Sequence, residues 1–173
     1  IVVCVKHVPD MQSERRFEGG RLVRGEDDVL NELDENAIEA AVQLKESEED
    51  AGREAEVIAL TMGPEDAEDA LMRALQMGAD RAFLVSDEFL EGSDVITTAS
   101  VLSVAIAKIS DECGPVDLVV TGMASLDAMT SMLPGALAAK AHMPLLGLAR
   151  TLSVEDGVAT IERSVDGFTE TLR

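Results

Sequence analysis

The sequence predicts an α/β protein in which helices cover both faces of a parallel sheet and a β-hairpin follows at the C-terminal end. Three observations carry this prediction. Short apolar runs alternate along most of the chain with stretches of helical periodicity. These runs are continuously apolar, which is typical of parallel strands buried on both faces. Residues 149–167 instead alternate apolar and polar side chains around an Asp-Gly pair, which indicates a hairpin.

The first half of the chain predicts two strands, two helices and a polar excursion. The strands are the apolar runs at residues 1–5 and 55–60, and residues 9–28 form the excursion. From Asn31 the apolar residues recur at helical spacing, and acidic residues occupy the first turn, where the helix dipole favours them. Pro64, with two acidic residues after it, predicts the start of the second helix, and Gly78 predicts its end.

The second half continues the alternation of strand and helix. Strands are predicted at residues 81–86 and 116–120, and Ser93 or Asp94 is expected to cap the long helix between them. A further helix ends before Pro144. The last β-type run, at residues 169–173, breaks off without a stop signal. We therefore expect residues 1–173 to form a single domain whose native chain continues further.

Composition and charge exclude several functions. A net charge of −20 and an aromatic content of 2% argue against nucleic-acid binding. Cys4 and Cys113 lack the spacing of a metal site, and neither His7 nor His142 has a second ligand nearby, so no metal is expected. Cys4 is expected to be a small buried hydrophobic residue. We find no phosphate-binding P-loop, dinucleotide glycine pattern or nucleophile elbow, so no catalytic residue is predicted. No signal peptide or membrane span is evident, and we expect a cytoplasmic protein without membrane insertion.

Three loops at the predicted carboxyl ends of strands are candidate binding sites. They follow residue 5, residue 60 ("TMGP") and residue 120 ("TGMASLDAMTSMLP"). Ligands of open parallel sheets bind at this edge, where the strand order reverses, and helix starts offer unpaired N–H donors there. For the loops after residues 60 and 120, a purely structural explanation stays open. Met62 and Gly63 also fit a plain helix start, and the third loop also fits a cap with a tight connection.

The third loop has chemistry that suits a single phosphate. Residues 130–133 offer free N–H groups just before a proline, and two of them carry hydroxyls. Gly122 would let the backbone approach a flat group. Asp127 is the loop's one charged side chain and suits sugar hydroxyls or a turn cap. Because no Lys or Arg stands in the stretch, a triphosphate would lack a balancing cation.

Four segments resemble the β subunit of electron transfer flavoprotein, and the similarity runs from residue 1 to residue 173. They are "VCVKHVPD", "NELDENAIEAAVQLKE", "TMGPEDAEDALMRALQMGADRAFLV" and "DGVATIERSVDGFTETLR". The resemblance implies a Rossmann-like, adenine-nucleotide-binding α/β fold with an AMP in this subunit. It also implies an α subunit as partner, which holds most of the FAD. The pair would carry electrons from acyl-CoA and related dehydrogenases to a membrane quinone reductase, as a carrier and not as an enzyme.

The resemblance also implies which residues bind the nucleotide. They stand at the predicted strand ends, in the loops that follow them, or at the start of the first predicted helix. They are Cys4, Asn31, Glu32, Leu33, Asp34, Met62, Gly122, Met123, Ala124, Ser125, Leu126, Asp127, Ala128, Met129, Thr130, Ser131, Met132 and Leu133.

The third loop departs from the pattern of bacterial relatives at four positions. Two Gln residues are replaced by Ala124 and Met132, and two Gly residues by Ala128 and Pro134. AMP binding could be weakened or altered, particularly if the residue at position 128 needs a positive φ. Because backbone contacts survive such changes better than side-chain contacts, we expect AMP binding to be retained.

Several alternatives stay open. One is a bifurcating-type β subunit that holds FAD in the AMP pocket. Another is a universal-stress-like sensor that binds ATP as a homodimer, although no Gly-rich phosphate loop follows the fourth strand. Residues 6–11 form either an ordinary surface turn or a segment that faces the flavin of the α subunit.

Overall fold

The computed structural model describes all 173 residues and contains eleven strands and four helices. The strands are β1 (Val2–Cys4), β2 (His7–Pro9), β3 (Phe17–Glu18), β4 (Arg21–Leu22), β5 (Asp28–Leu30), β6 (Ile58–Met62), β7 (Arg81–Val85), β8 (Val119–Thr121), β9 (Thr151–Glu155), β10 (Val158–Val165) and β11 (Phe168–Leu172). The helices are α1 (Glu32–Asp50), α2 (Glu68–Gln76), α3 (Val95–Cys113) and α4 (Leu133–Ala141). None of the four helices combines the length and the apolar character needed to cross a membrane.

The central sheet is parallel and has four strands in the order β7-β6-β1-β8. The chain builds outward from β1 through β6 to β7, then crosses back so that β8 pairs with the other side of β1. Val2 is therefore in register with both Ile58 and Val119. The strand order reverses between β1 and β8, and in such sheets this is the position where ligands bind.

Helices cover both faces of this sheet, as predicted. On one face Val3 and Ala59 pack with Ile38 of α1 and with residues of α2. On the other face Val2 and Leu60 pack with Leu102 of α3 and with residues of α4. Because consecutive strand residues point to opposite apolar layers, the strands read as continuous apolar runs in the sequence.

The helix starts agree with the prediction in most details. The Asp94 carboxylate accepts the Thr97 N–H at 2.7 Å and so caps α3. Pro64 is followed by one 3-10 turn (Glu65–Ala67), and α2 begins only at Glu68, so this helix starts later than predicted. Pro134 is the second residue of α4, a position where the missing N–H has no intrahelical partner to lose.

Antiparallel strands form the remaining sheets. In the excursion β2 pairs with β5 and β3 pairs with β4. The C-terminal extension contains the predicted hairpin of β9 and β10. The final β-type run forms β11, which pairs with the other side of β10. The core of this extension is small, since Ile161 is the one fully buried residue in these three strands.

Candidate functional site

The candidate loops lie together at the carboxyl edge of the parallel sheet. Cys4, the last residue of β1, is level with Leu60 in β6 and with Thr121 in β8. The loops that follow these strands therefore begin side by side. The loop after β8, residues 122–132, lies beside the reversal of strand order, and it is called the β8 loop below.

Asn31 fastens the β8 loop to the start of α1. Its side chain is fully buried, and its Nδ2 donates to the carbonyl of Ala124 at 2.9 Å while its Oδ1 accepts the N–H of Leu126 at 3.0 Å. Its own N–H donates to the carbonyl of Lys6 at 2.9 Å. Although Asn31 precedes the first residue of α1, its side chain does not cap the helix. The amide nitrogen and the amide oxygen both form hydrogen bonds with the β8 loop instead.

Asp34 joins the ends of β1 and β8 from the first turn of α1. It is 5% exposed, and its Oδ2 accepts the N–H of Lys6 at 2.8 Å. A Cβ on Gly122 would stand 2.2 Å from the Asp34 Oδ1 and 3.0 Å from the carbonyl oxygen of Leu33. Gly122 is therefore required by the close approach of Asp34. That this glycine also lets the backbone approach a flat group stays a prediction.

Burial dominates the electrostatics of Asp34. It raises the pKa of this carboxyl to about 6, against contacts with Asn31, Lys6 and Gly122 that favour the charged form. Near neutral pH the site therefore keeps a buried carboxylate at the cost of desolvation.

Asp127 is also buried, but two cations surround its carboxylate. The side chain is 1% exposed, and Lys6 Nζ lies 2.8 Å from its Oδ2 and 3.0 Å from its Oδ1. Arg24 binds the same Oδ2, and Lys6 Nζ also reaches Ser125 Oγ at 3.4 Å. Burial opposes ionisation, but the hydrogen bonds from Lys6, Arg24 and Ser125 outweigh it and hold the pKa of Asp127 well below its usual range.

These pairs correct two expectations about the β8 loop. The Asp127 carboxylate is engaged by cations and is not free for sugar hydroxyls. The loop also has cationic neighbours, although none stands within it. Lys6 precedes Asp127 by 121 residues and Arg24 precedes it by 103 residues, so no local pattern could reveal them.

The second half of the β8 loop is exposed and locally strained. Met129 and Ser131 adopt left-handed backbone conformations with φ of 49° and 51°, which is uncommon for residues other than glycine. Ala128 is not among the residues of positive φ, so its replacement of glycine causes no strain. The N–H groups of residues 130–133 donate to no acceptor in the protein. The side chains of Met123, Met129 and Met132 are exposed.

The other predicted residues occupy different environments. Cys4, Met62 and Leu133 pack into the apolar layer under α3 and α4. Burial, with a smaller contribution from the charge of Asp34, raises the pKa of the Cys4 thiol to about 12, so Cys4 is an inert core residue as predicted. At the start of α1, Glu32 is exposed and Leu33 is half-buried.

Arg15 is a further contact that the sequence did not reveal. Its Nη2 donates to the carbonyl of Leu126 at 3.2 Å and lies 3.0 Å from the sulfur of Met11. The excursion therefore reaches the β8 loop through Arg15 and Arg24. Within residues 6–11, Lys6 turns towards the β8 loop and Met11 is exposed.

The family can be assigned with this geometry in place. The sequence profile of the electron transfer flavoprotein domain matches residues 20–173. The chain belongs to this family. It is 40% identical over 169 residues to the electron transfer flavoprotein subunit beta of Mycobacterium leprae, a match that covers 96% of this chain and 62% of the relative.

Two further relatives carry other names. The subunit CarD of the caffeyl-CoA reductase-Etf complex of Acetobacterium woodii is 36% identical, with 97% of this chain and 62% of CarD covered. Protein FixA of Sinorhizobium fredii is 35% identical, with 100% of this chain and 61% of FixA covered. The chain thus spans about three fifths of the length of these relatives.

Proposed function

We propose that this protein is the β subunit of a heterodimeric electron transfer flavoprotein. In this proposal it carries electrons from acyl-CoA and related dehydrogenases to a membrane quinone reductase and has no catalytic residues of its own. An α subunit holds most of the FAD, and residues 1–173 act as one domain that binds AMP structurally. Membership in the family and similarity to β subunits support this function. They also speak against a universal-stress-like sensor.

One observation carries the nucleotide-binding part of the proposal. The fully buried side chain of Asn31 donates one hydrogen bond to the backbone of the β8 loop and accepts another from it, at the point where the strand order reverses. A buried amide that holds a loop at the expected ligand position is evidence of a shaped loop, since a plain connection does not need such bonds.

The residues present fit a nucleotide with one phosphate. The unpaired N–H groups of residues 130–133, at the start of α4, would hold the phosphate together with the hydroxyls of Thr130 and Ser131. Lys6 and Arg24 bind the Asp127 carboxylate, so two cationic side chains stand beside the β8 loop although none stands within it.

Two of the departures from the family pattern, Ala124 and Ala128, are compatible with the shape of the β8 loop. The Asn31 bond at position 124 uses the carbonyl of Ala124, which does not depend on the side chain there. Ala128 is not forced into a left-handed conformation. We therefore infer that AMP binding is retained.

The first experiment is to unfold the purified complete protein and identify any released nucleotide by chromatography and mass. Released AMP would support the proposal, whereas FAD from a preparation with two flavins per heterodimer would identify a bifurcating-type subunit. If nothing is released, AMP and adenosine are added separately and the melting temperature is measured. AMP should raise it more than adenosine does, because a ligand that binds the native state stabilises it. No shift with AMP would contradict nucleotide binding.

A further inference from the structure

The excursion between β2 and β5 crosses the carboxyl edge of the parallel sheet. We call residues 10–27 the strap. At one end Arg15 and Arg24 bind the β8 loop. At the other end Arg21 lies 3.9 Å from Glu91, in the segment that follows β7. The strap therefore runs along the same edge at which the nucleotide site is proposed.

The two ends of the strap differ in strength. Arg21 and Glu91 are 73% and 86% exposed, and such a pair contributes little in water. The partner of Arg24 is the carboxylate of Asp127, which is 1% exposed. Removing one partner of a buried charge leaves that charge poorly compensated, so the anchor of the strap is Arg24.

Asp127 is held from two sides, by the end of the parallel sheet and by the strap. Lys6 stands two residues after β1, its N–H donates to the Asp34 carboxylate, and its carbonyl accepts the N–H of Asn31. Arg24 belongs to the strap, in which β3 and β4 form the only strand pair. The carboxylate thus clamps the strap to the sheet, and Asn31 holds the adjacent residues 124 and 126 from a third direction.

We propose that Arg24 is a positioning residue of the nucleotide site. Acting from the strap through Asp127, it keeps residues 124–127 in the shape that Asn31 and Lys6 hold from the sheet side. Loss of Arg24 loosens the β8 loop and speeds the release of the nucleotide. This inference rests on the proposed binding of AMP at the loop.

The test compares the complete wild-type protein with Arg24→Ala, Arg24→Lys and the control Arg16→Ala. Arg16 pairs with Glu26 inside the strap and does not contact the β8 loop, and both side chains are largely exposed. Amide hydrogen exchange of residues 123–129 and the dissociation rate of AMP are measured at low and high salt. Exchange in β9–β11 serves as the internal reference for general destabilisation.

In Arg24→Ala we expect faster exchange confined to the β8 loop and AMP dissociation faster by about tenfold, the effect of losing one hydrogen bond to a charged group. Arg24→Lys should restore part of the loss because it keeps the charge but not the planar fork. Arg16→Ala should match the wild type. Because Asp127 is buried, salt screens its pair with Arg24 only weakly, so the difference between the wild type and Arg24→Ala should persist at high salt.

Unchanged loop exchange in Arg24→Ala, or faster exchange that extends equally to β9–β11, would overturn the inference. Unchanged AMP dissociation would overturn it as well. If the wild-type protein binds no AMP, the proposed function fails separately. Loop exchange then decides alone: a local increase in Arg24→Ala supports the positioning role, and no increase removes it.

Discussion

The two edges of the parallel sheet use aspartate in the same way and with opposite electrostatic results. At the carboxyl edge, Asp34 accepts the N–H of Lys6 at 2.8 Å. At the amino edge, Asp80 accepts the N–H of Val57, also at 2.8 Å. Yet the pKa of Asp34 is raised to about 6, whereas the pKa of Asp80 is lowered.

Burial and pairing explain the difference. Asp34 is 5% exposed, and the ammonium of the nearby Lys6 is directed to Asp127. The side chain of Asp80 is 33% exposed and pairs with Lys45, and these bonds outweigh its smaller desolvation. The amino edge is thus a solvated polar margin. The carboxyl edge keeps polar groups in a buried setting, which stabilises one shape of a loop and lowers the tolerance for substitution.

The largest effect should follow from Asn31→Ala. It leaves the Ala124 carbonyl and the Leu126 N–H unpaired in a buried setting, so the free energy of unfolding should fall by about 3–4 kcal/mol. Urea denaturation measures this change. Asn36→Ala, at an exposed position of the same helix, is the control and should stay within about 0.5 kcal/mol. Equal effects of the two substitutions would show that the buried Asn31 bonds do not stabilise the carboxyl edge.

Gly122→Ala should destabilise the fold by about 2–3 kcal/mol, because the added Cβ would stand 2.2 Å from the Asp34 carboxylate. The control is Gly135→Ala in α4, where a Cβ meets no atom within 4 Å. It should be neutral or stabilising by about 0.5 kcal/mol, since alanine favours helix over glycine. Thermal unfolding compares the two, and a Gly122→Ala protein as stable as wild type would show that Asp34 can move away.

The titration of Asp34 should be visible in the pH dependence of the free energy of unfolding. Because its folded pKa, about 6, lies above the ordinary 3.8, the native state binds more protons than the unfolded chain between these values. Wild-type stability should therefore fall as pH rises from about 4 to 7, by about 2 kcal/mol relative to Asp34→Asn. Denaturant titrations at several pH values measure this difference. A constant difference would contradict the burial of the charged carboxylate.

The smallest effect should be found at the amino edge. Lys45→Met removes the ion pair with Asp80, and the loss should be on the order of 0.5 kcal/mol because the pair is partly exposed to water. Since the pKa of Asp80 is lowered, its contribution is present above about pH 4 and is lost below it, opposite in sign to that of Asp34. High salt should reduce the difference between variant and wild type. A loss comparable to that of Asn31→Ala would contradict the comparison.

Local patterns predicted much of the fold because they depend on near neighbours. The continuous apolar runs predicted β1, β6, β7 and β8, and the Asp-Gly pair at 156–157 predicted the turn between β9 and β10. The cap of α3 is predicted as Ser93 or Asp94, and the structure shows that it is Asp94, whose bond to Thr97 spans only three residues. The start of α2 was placed too early, since Pro64 fits a 3-10 turn as well as an α-helix.

The candidate site was located by its loops but not by its contacts. The β8 loop is predicted at this edge because parallel strands end together, whereas Asn31 is predicted as a site residue by the family resemblance. The sequence did not predict the hydrogen bonds of the Asn31 side chain, the close approach of Asp34 to Gly122 or the cations around Asp127. Each of these contacts joins residues at least 88 positions apart or depends on which side chain faces inward.

The sequence by itself therefore determined the class of fold and the order of its main elements, and it predicted the edge at which a ligand is expected. These follow from hydrophobic periodicity, capping and turn residues, which act over a few positions. The tertiary structure alone decided which charges meet. A carboxylate in the sequence can be solvated, buried and unpaired, or buried between two cations. Asp80, Asp34 and Asp127 differ in these respects only because folding sets their burial and their partners.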